Sequence, residues 1–169
     1  IAPLVRASAP KIRVRIAQSA TTAIHGSQFV IGAICAGGQE ARAHDEQVCI
    51  DAGVLGQETV GAGGAALAMR NVPAMLSLAR TMEREAPRAT LINYTNPAGM
   101  VTEALQNETS LQVVGICGTP AELTERIAAL LYLDPAACSP GWSGINHLGW
   151  LTSLYEADPK GPLPPENHL

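Results

Sequence analysis

Residues 89–116 read ATLINYTNPAGMVTEALQNETSLQVVGI, and the fold class follows from them. The short apolar run ATLIN at 89–93 predicts a strand. Asn96 stands before Pro97, which holds it out of the α region and ends the extended run in a turn. Residues 98–106 then predict a helix, and QVVGI at 112–116 another strand. Two strands joined by a helix form a βαβ unit, and the crossover makes those strands parallel.

The same alternation continues outward. QFVIGAI at 28–34 is a continuous apolar run, suited to a strand buried on both faces. Between it and residue 89, GGAALAMRNVPAMLSLARTMEREA at 63–86 spaces Leu67, Met75, Leu78, Ala79 and Met82 as one helical face. Pro73 inside that stretch is expected to kink or split the helix. Residues 11–17 alternate basic and apolar side chains and predict a short strand, with a helical turn at 21–25. Residues 120–132 predict a further helix, Pro120 suiting its first turn. After Pro140 the pattern changes: GWSGINHLGWLTSLYEAD predicts the start of a different strand layer, and GPLPPENHL an irregular tail. The expected fold is α/β, a parallel sheet with helices on both faces. Ligands of such sheets collect at the carboxyl ends of the strands.

With 169 residues the chain has room for one sizeable core, typical domains holding roughly 100–150 residues. A hydrophobic share of 47% against 15% charged suits a packed protein rather than a disordered one. The net charge of -4 gives no basic field, so neither nucleic acid nor an anionic membrane is an expected partner. Cys35, Cys49, Cys117 and Cys138 form no CxxC pair, which predicts reduced thiols in a cytoplasmic protein. No signal peptide or membrane span is evident in the sequence.

Candidate chemistry falls just after the predicted strands. In CAGGQEARAHDE at 35–46, Gly37 and Gly38 permit a sharp turn, and Arg42 is either a two-donor clamp for a phosphate or sugar hydroxyl or a solvated charge at a helix start. In NYTNPAG at 93–99 the Asn96 amide could meet a hydroxyl and a cofactor together, although Asn-Pro also serves simply as a turn. Cys117 and His147 are two potential ligands for a divalent transition metal, with positions left open for sugar hydroxyls; each residue also has an ordinary structural use. Glu58 lies in GQETVGAGG, which is no GxGxxG loop. Its carboxylate could raise the basicity of a neighbouring proton acceptor, or belong to a helix N-terminal cap.

Taken together, GGQEARAHDE, GVLGQETVGAGG, ATLINYTNPAGMVTEAL, VVGIC followed by TP, and GINHLGWL resemble glycoside hydrolase family 4 in order and spacing, from about Gln28 to Leu151. The GINHLGWL form and the GQET loop are most similar to its 6-phospho-β-glucosidase branch. The resemblance implies a Rossmann-like NAD-binding domain over 1–139, incomplete at the N-terminus because the first strand and glycine-rich loop would lie upstream of Ile1. Residues 140–169 would begin an α+β substrate domain. It also implies hydrolysis of 6-phospho-β-glucosides, through NAD-dependent oxidation at C3, C2 deprotonation and elimination, with manganese or another divalent metal. Arg42 and Asn96 match the family's substrate-binding residues, Asn96 and Thr95 its cofactor contacts, and Cys117 and His147 its metal ligands. Glu58 matches the carboxylate that raises the basicity of a catalytic tyrosine. That tyrosine would lie beyond Leu169, Tyr155 falling too early. The expected substrate is a phosphorylated disaccharide or aryl glycoside, and the expected full-length assembly a cytoplasmic homo-oligomer.

Two positions depart from the pattern. Cys35 stands where the family carries an arginine before the paired glycines. Gly118 follows Cys117 where family members carry a side chain, an aspartate acting as acid in the α-specific ones. Because the glycine-rich loop and the tyrosine would lie outside them, the 169 residues alone are expected to be inactive. Two other readings stay open on sequence: a lactate/malate-type dehydrogenase, similar in fold and in the TNP turn, and a non-catalytic remnant or binding module.

Overall fold

A computed structural model describes residues 11–156 of the chain. Three short strands, β1 (Phe29–Gly32), β2 (Thr90–Asn93) and β3 (Gln112–Gly115), form a parallel sheet in the order β1-β2-β3. Phe29 pairs with Thr90, and Thr90 with Gln112, so the three carboxyl ends lie level at Gly32, Asn93 and Gly115. Helices α1 (Ala20–Ile24), α2 (Gly38–Asp51), α3 (Gly61–Glu85), α4 (Ala98–Glu108) and α5 (Thr119–Leu130) fill the connections. A short 3-10 turn at Pro135–Ala137 leads into an antiparallel hairpin of β4 (Cys138–Ile145) and β5 (Leu148–Glu156).

The core is the meeting of α3 and α4 with one face of the parallel sheet. Met75, Ala79 and Met82 from α3 and Val101 and Leu105 from α4 are fully buried against Leu91 and Val113, and Ile24 of α1 closes the edge. Burying each large side chain contributes roughly 1.5–3 kcal/mol. That gain explains why α3 runs as one helix of 25 residues through Pro73 instead of splitting there. Proline in a helix costs about 3 kcal/mol, less than the packing on its two sides provides.

The expectation for QFVIGAI differs on one point. Phe29 and Ile31 are 65% and 67% exposed, and Val114 of β3 is also exposed, so the helical layer covers one face of the sheet among the described residues. Residues 12–17 form no strand: alternation alone does not make one, since a strand needs a ladder partner and none is present among the described residues. Nor did the periodicity reveal α2. Its sequence GQEARAHDEQVCID is polar nearly all round, and only Cys49 is buried, so no apolar stripe announces it. Among the described residues no helix is long and apolar enough to cross a membrane.

Candidate functional site

The chain leaves β1 through Cys35 and turns sharply at Gly37 and Gly38, whose φ angles of 84° and 69° are ones that side chains rarely adopt. Two adjacent residues of α3 hold this turn. Arg70 Nε donates to Ala36 O at 3.1 Å while its guanidinium grips Asp45 of α2 through both carboxylate oxygens. Asn71 is buried; its Oδ1 accepts from Ala36 N at 2.7 Å and its Nδ2 donates to Asn96 O at 2.6 Å. One side chain thus ties the turn after β1 to the turn after β2.

The turn after β2 is built from inside. Buried Asn93 accepts from Thr95 N at 3.0 Å through Oδ1 and donates from Nδ2 to Thr102 Oγ1 at 3.0 Å and Ala98 O at 3.3 Å. The Asn96–Pro97 bond is cis. Thr95 is 1% exposed, and its hydroxyl donates to Gly32 O at 3.2 Å and accepts from Ile34 N at 3.1 Å. The Thr95 hydroxyl therefore joins the ends of β1 and β2, at the turn where the resemblance places a cofactor contact.

Arg42, Glu58 and Asn96, far apart in sequence, come together. Glu58 accepts from Asn96 Nδ2 at 2.9 Å on Oε1 and pairs with Arg42 Nη1 at 2.9 Å on Oε2. Arg42 Nε also donates to Glu46 at 2.8 Å. The Glu46 hydrogen bond, followed by the charges of Glu58 and Glu46, holds the Arg42 pKa above its ordinary value. With two carboxylates compensating it, Arg42 suits a neutral hydroxyl better than a phosphate. Glu58 thus bridges Arg42 and Asn96, one carboxylate oxygen to each. Its loop is stapled by Gln57, whose Oε1 accepts from Thr59 N and from Val60 N, the latter at 2.8 Å.

Cys117, at the end of β3, and His147, in the β4–β5 turn, line one cavity of about 250 Å³ together with Asn146 and Trp142. His147 has φ 60°, an uncommon conformation for a side chain of its size and of the kind that concentrates at functional sites. Gln57 Nε2 lies 3.4 Å from His147 Nδ1, linking this turn to the Glu58 loop. Asn146 Oδ1 is buried without a hydrogen-bond partner among the described residues. No cluster of three or more His, Cys, Asp and Glu residues occurs among those residues, so a metal here would rest on two such side chains and on oxygens from elsewhere. Sequence reasoning named both ligand candidates, and it missed Arg70, Asn71 and Asn93. A polar Arg-Asn pair after the apolar and small residues of the first half of α3 was the available signal for the first two.

The profile of the family described as "Family 4 glycosyl hydrolase" matches residues 1–133. The chain belongs to that family. Over 127 residues, 75% of this chain and 29% of the other, this family 4 chain is 39% identical to a Bacillus subtilis protein named "Probable 6-phospho-beta-glucosidase". Its structure is similar to that of a 6-phospho-alpha-glucosidase from gut microorganisms in complex with NAD and Mn2+, with TM-score 0.84 and 29% identity over 94% of this chain and 36% of that one. It is also similar to the 6-phospho-beta glucosidase of Thermotoga maritima with manganese, NAD+ and glucose-6-phosphate, with TM-score 0.82 and 27% identity over 90% and 38%. The family 4 chain spans about a third of the length of the relatives it matches. Those relatives carry both alpha and beta names, so the similarity supports phospho-glucosidases of either anomer. Membership removes the lactate/malate-type reading.

Proposed function

We propose that this chain supplies the strand-end part of the active site of a 6-phospho-glucosidase that uses NAD and a divalent metal such as manganese, with 6-phospho-β-glucosides as substrates. The observation that carries the proposal is the joined set Arg42–Glu58–Asn96 at 2.9 Å contacts, linked through the Gln57 loop to the cavity lined by Cys117 and His147. Arg42 and Asn96 would hold sugar hydroxyls, oriented by Glu58. Asn96 also stands beside the turn after β1, at the strand ends where nucleotides bind in such sheets. Residues 1–139 would belong to the nucleotide-binding part and 140–169 to the start of the substrate-binding part.

The donor set fits a divalent ion. A thiol and an imidazole facing one cavity, the left-handed backbone that presents His147, and an unpartnered Asn146 oxygen in the same wall describe a place for a borderline cation with open positions. Cys117 and His147 would hold it. When bound, NAD supplies reversible hydride removal from the sugar, and the metal supplies polarisation of a carbonyl oxygen. The preference for β anomers is supported by the GINHLGWL form and the GQET loop, which are most similar to the 6-phospho-β-glucosidase branch.

The test uses the protein expressed from its complete reading frame and 4-nitrophenyl 6-phosphoglucosides of both anomers. Turnover of the β anomer is expected only with NAD and Mn2+ present. Removing the partner of a charge-assisted hydrogen bond costs about 1.5–3 kcal/mol, so Arg42→Ala should lower kcat/KM by roughly 10- to 100-fold. Turnover indifferent to both cofactors would overturn the proposal, and turnover confined to the α anomer would overturn its anomeric part.

A further inference from the structure

Gly118, between Cys117 and helix α5, has φ -77° and ψ -23°, a backbone conformation open to any residue, so the fold does not demand glycine there. Apart from its chain neighbours, a Cβ built at 118 would have one atom within 4 Å: the hydroxyl oxygen of Tyr94, at 3.3 Å. Tyr94 is the first residue beyond β2, and its own N–H donates to Gly32 O at 2.7 Å, which fixes its Cα at the carboxyl edge of the sheet. Its side chain is nevertheless 51% exposed, and its hydroxyl makes no hydrogen bond among the described residues. A phenol is thus laid across the end of β3, next to Cys117, in the space a side chain at 118 would fill.

We propose that the Tyr94 hydroxyl donates to the leaving-group oxygen of the phosphorylated glucoside, doing from β2 what Gly118 cannot do from α5. This rests on the phospho-glucosidase reading above. As the bond from C1 to the leaving oxygen breaks, its electron pair stays on that oxygen, which takes the phenol proton. The electrons of the broken C2–H bond form the C1–C2 double bond while that proton passes to the base of the complete active site, and the phenolate then takes a proton from the water whose hydroxide adds to C1. An acid in this position matters most for an alkyl oxygen, a poor leaving group, and little for 4-nitrophenolate.

The experiment compares methyl and 4-nitrophenyl 6-phosphoglucosides of the anomer cleaved, with NAD and Mn2+, in the protein expressed from its complete reading frame. In Tyr94→Phe the ratio of kcat for the methyl substrate to kcat for the nitrophenyl substrate is expected to fall by roughly 10²-fold, the lower end of acid catalysis. The thermal midpoint should stay within a few degrees, since only the hydroxyl of a half-exposed residue is lost. Adding Gly118→Asp to Tyr94→Phe should recover most of the ratio, because a carboxyl there reaches the same space and also suits a helix N-cap. Equal losses on the two substrates, an unchanged ratio, or failure of the added Gly118→Asp substitution to restore it would each overturn the role of Tyr94 while leaving the phospho-glucosidase reading intact. No turnover of the nitrophenyl substrate by the unaltered protein would remove both.

Discussion

Asn71 shows how much one buried amide can organise. It satisfies Ala36 N–H and Asn96 C=O at once, and neither group has a better partner nearby. Asn71→Leu would leave both without it, and at about 1–3 kcal/mol for each of the two unsatisfied groups a destabilisation of about 2–6 kcal/mol is expected in a urea titration. Glu83 makes a prediction of a different kind. Ser110 N–H, then Arg80, then the Ser110 hydroxyl pull its pKa from 4.5 down to about 2. A depressed carboxylate contributes stability that is fully present above pH 4.5 and lost as pH falls towards 2. The thermal midpoint should therefore drop more steeply across that window in the native protein than in Glu83→Gln, and the two curves should converge near pH 2. The candidate residues Arg42, Asn96, Cys117 and His147 could be singled out in the sequence because they follow predicted strands. Asn71 could not, since nothing in a helical pattern says that its polar face meets two loops.

Among the elements, α3 carries the most. Its first turn passes so close to the Glu58 loop that a Cβ on Gly64 would come within 2.6 Å of Thr59 O, a backbone atom that cannot step aside. Gly64→Ala is therefore expected to destabilise by about 1–3 kcal/mol and to displace Glu58, measurable by guanidinium unfolding and by loss of glucose 6-phosphate binding in calorimetry. Gly99 in α4 has open space around the same position, so Gly99→Ala should instead stabilise by about 0.5 kcal/mol. The strands and helices α3, α4 and α5 were readable from period and turn chemistry. Two elements were misread for opposite reasons: α2 has no apolar stripe to reveal it, and residues 11–17 alternate correctly without a neighbour to pair with.

At the scale of the molecule, two sheets with different hydrogen-bonding patterns contribute to one region. The parallel sheet ends at the Arg42–Glu58–Asn96 set and at Cys117, while the hairpin brings His147 to the same cavity through its turn. Neither layer holds both ligand candidates, so metal affinity should depend on both: Cys117→Ser and His147→Ala are each expected to weaken Mn2+ binding at least tenfold in calorimetry. The pairing of Cys117 with His147 could be suspected from sequence, because each residue follows or ends a predicted strand. That Gln57 links their cavity to Glu58 could not, since it depends on how the hairpin lies over the sheet.

The central claim is that these strand ends serve a cleavage passing through oxidation and C2 deprotonation of a phosphorylated sugar. It is tested most directly by running the reaction of the protein from its complete reading frame in D2O, with NAD and Mn2+, and examining the glucose 6-phosphate released by NMR. Deuterium at C2, acquired only when both cofactors are present, is the predicted result. Hydrolysis that leaves C2 fully protonated, and that proceeds without NAD or metal, would contradict it.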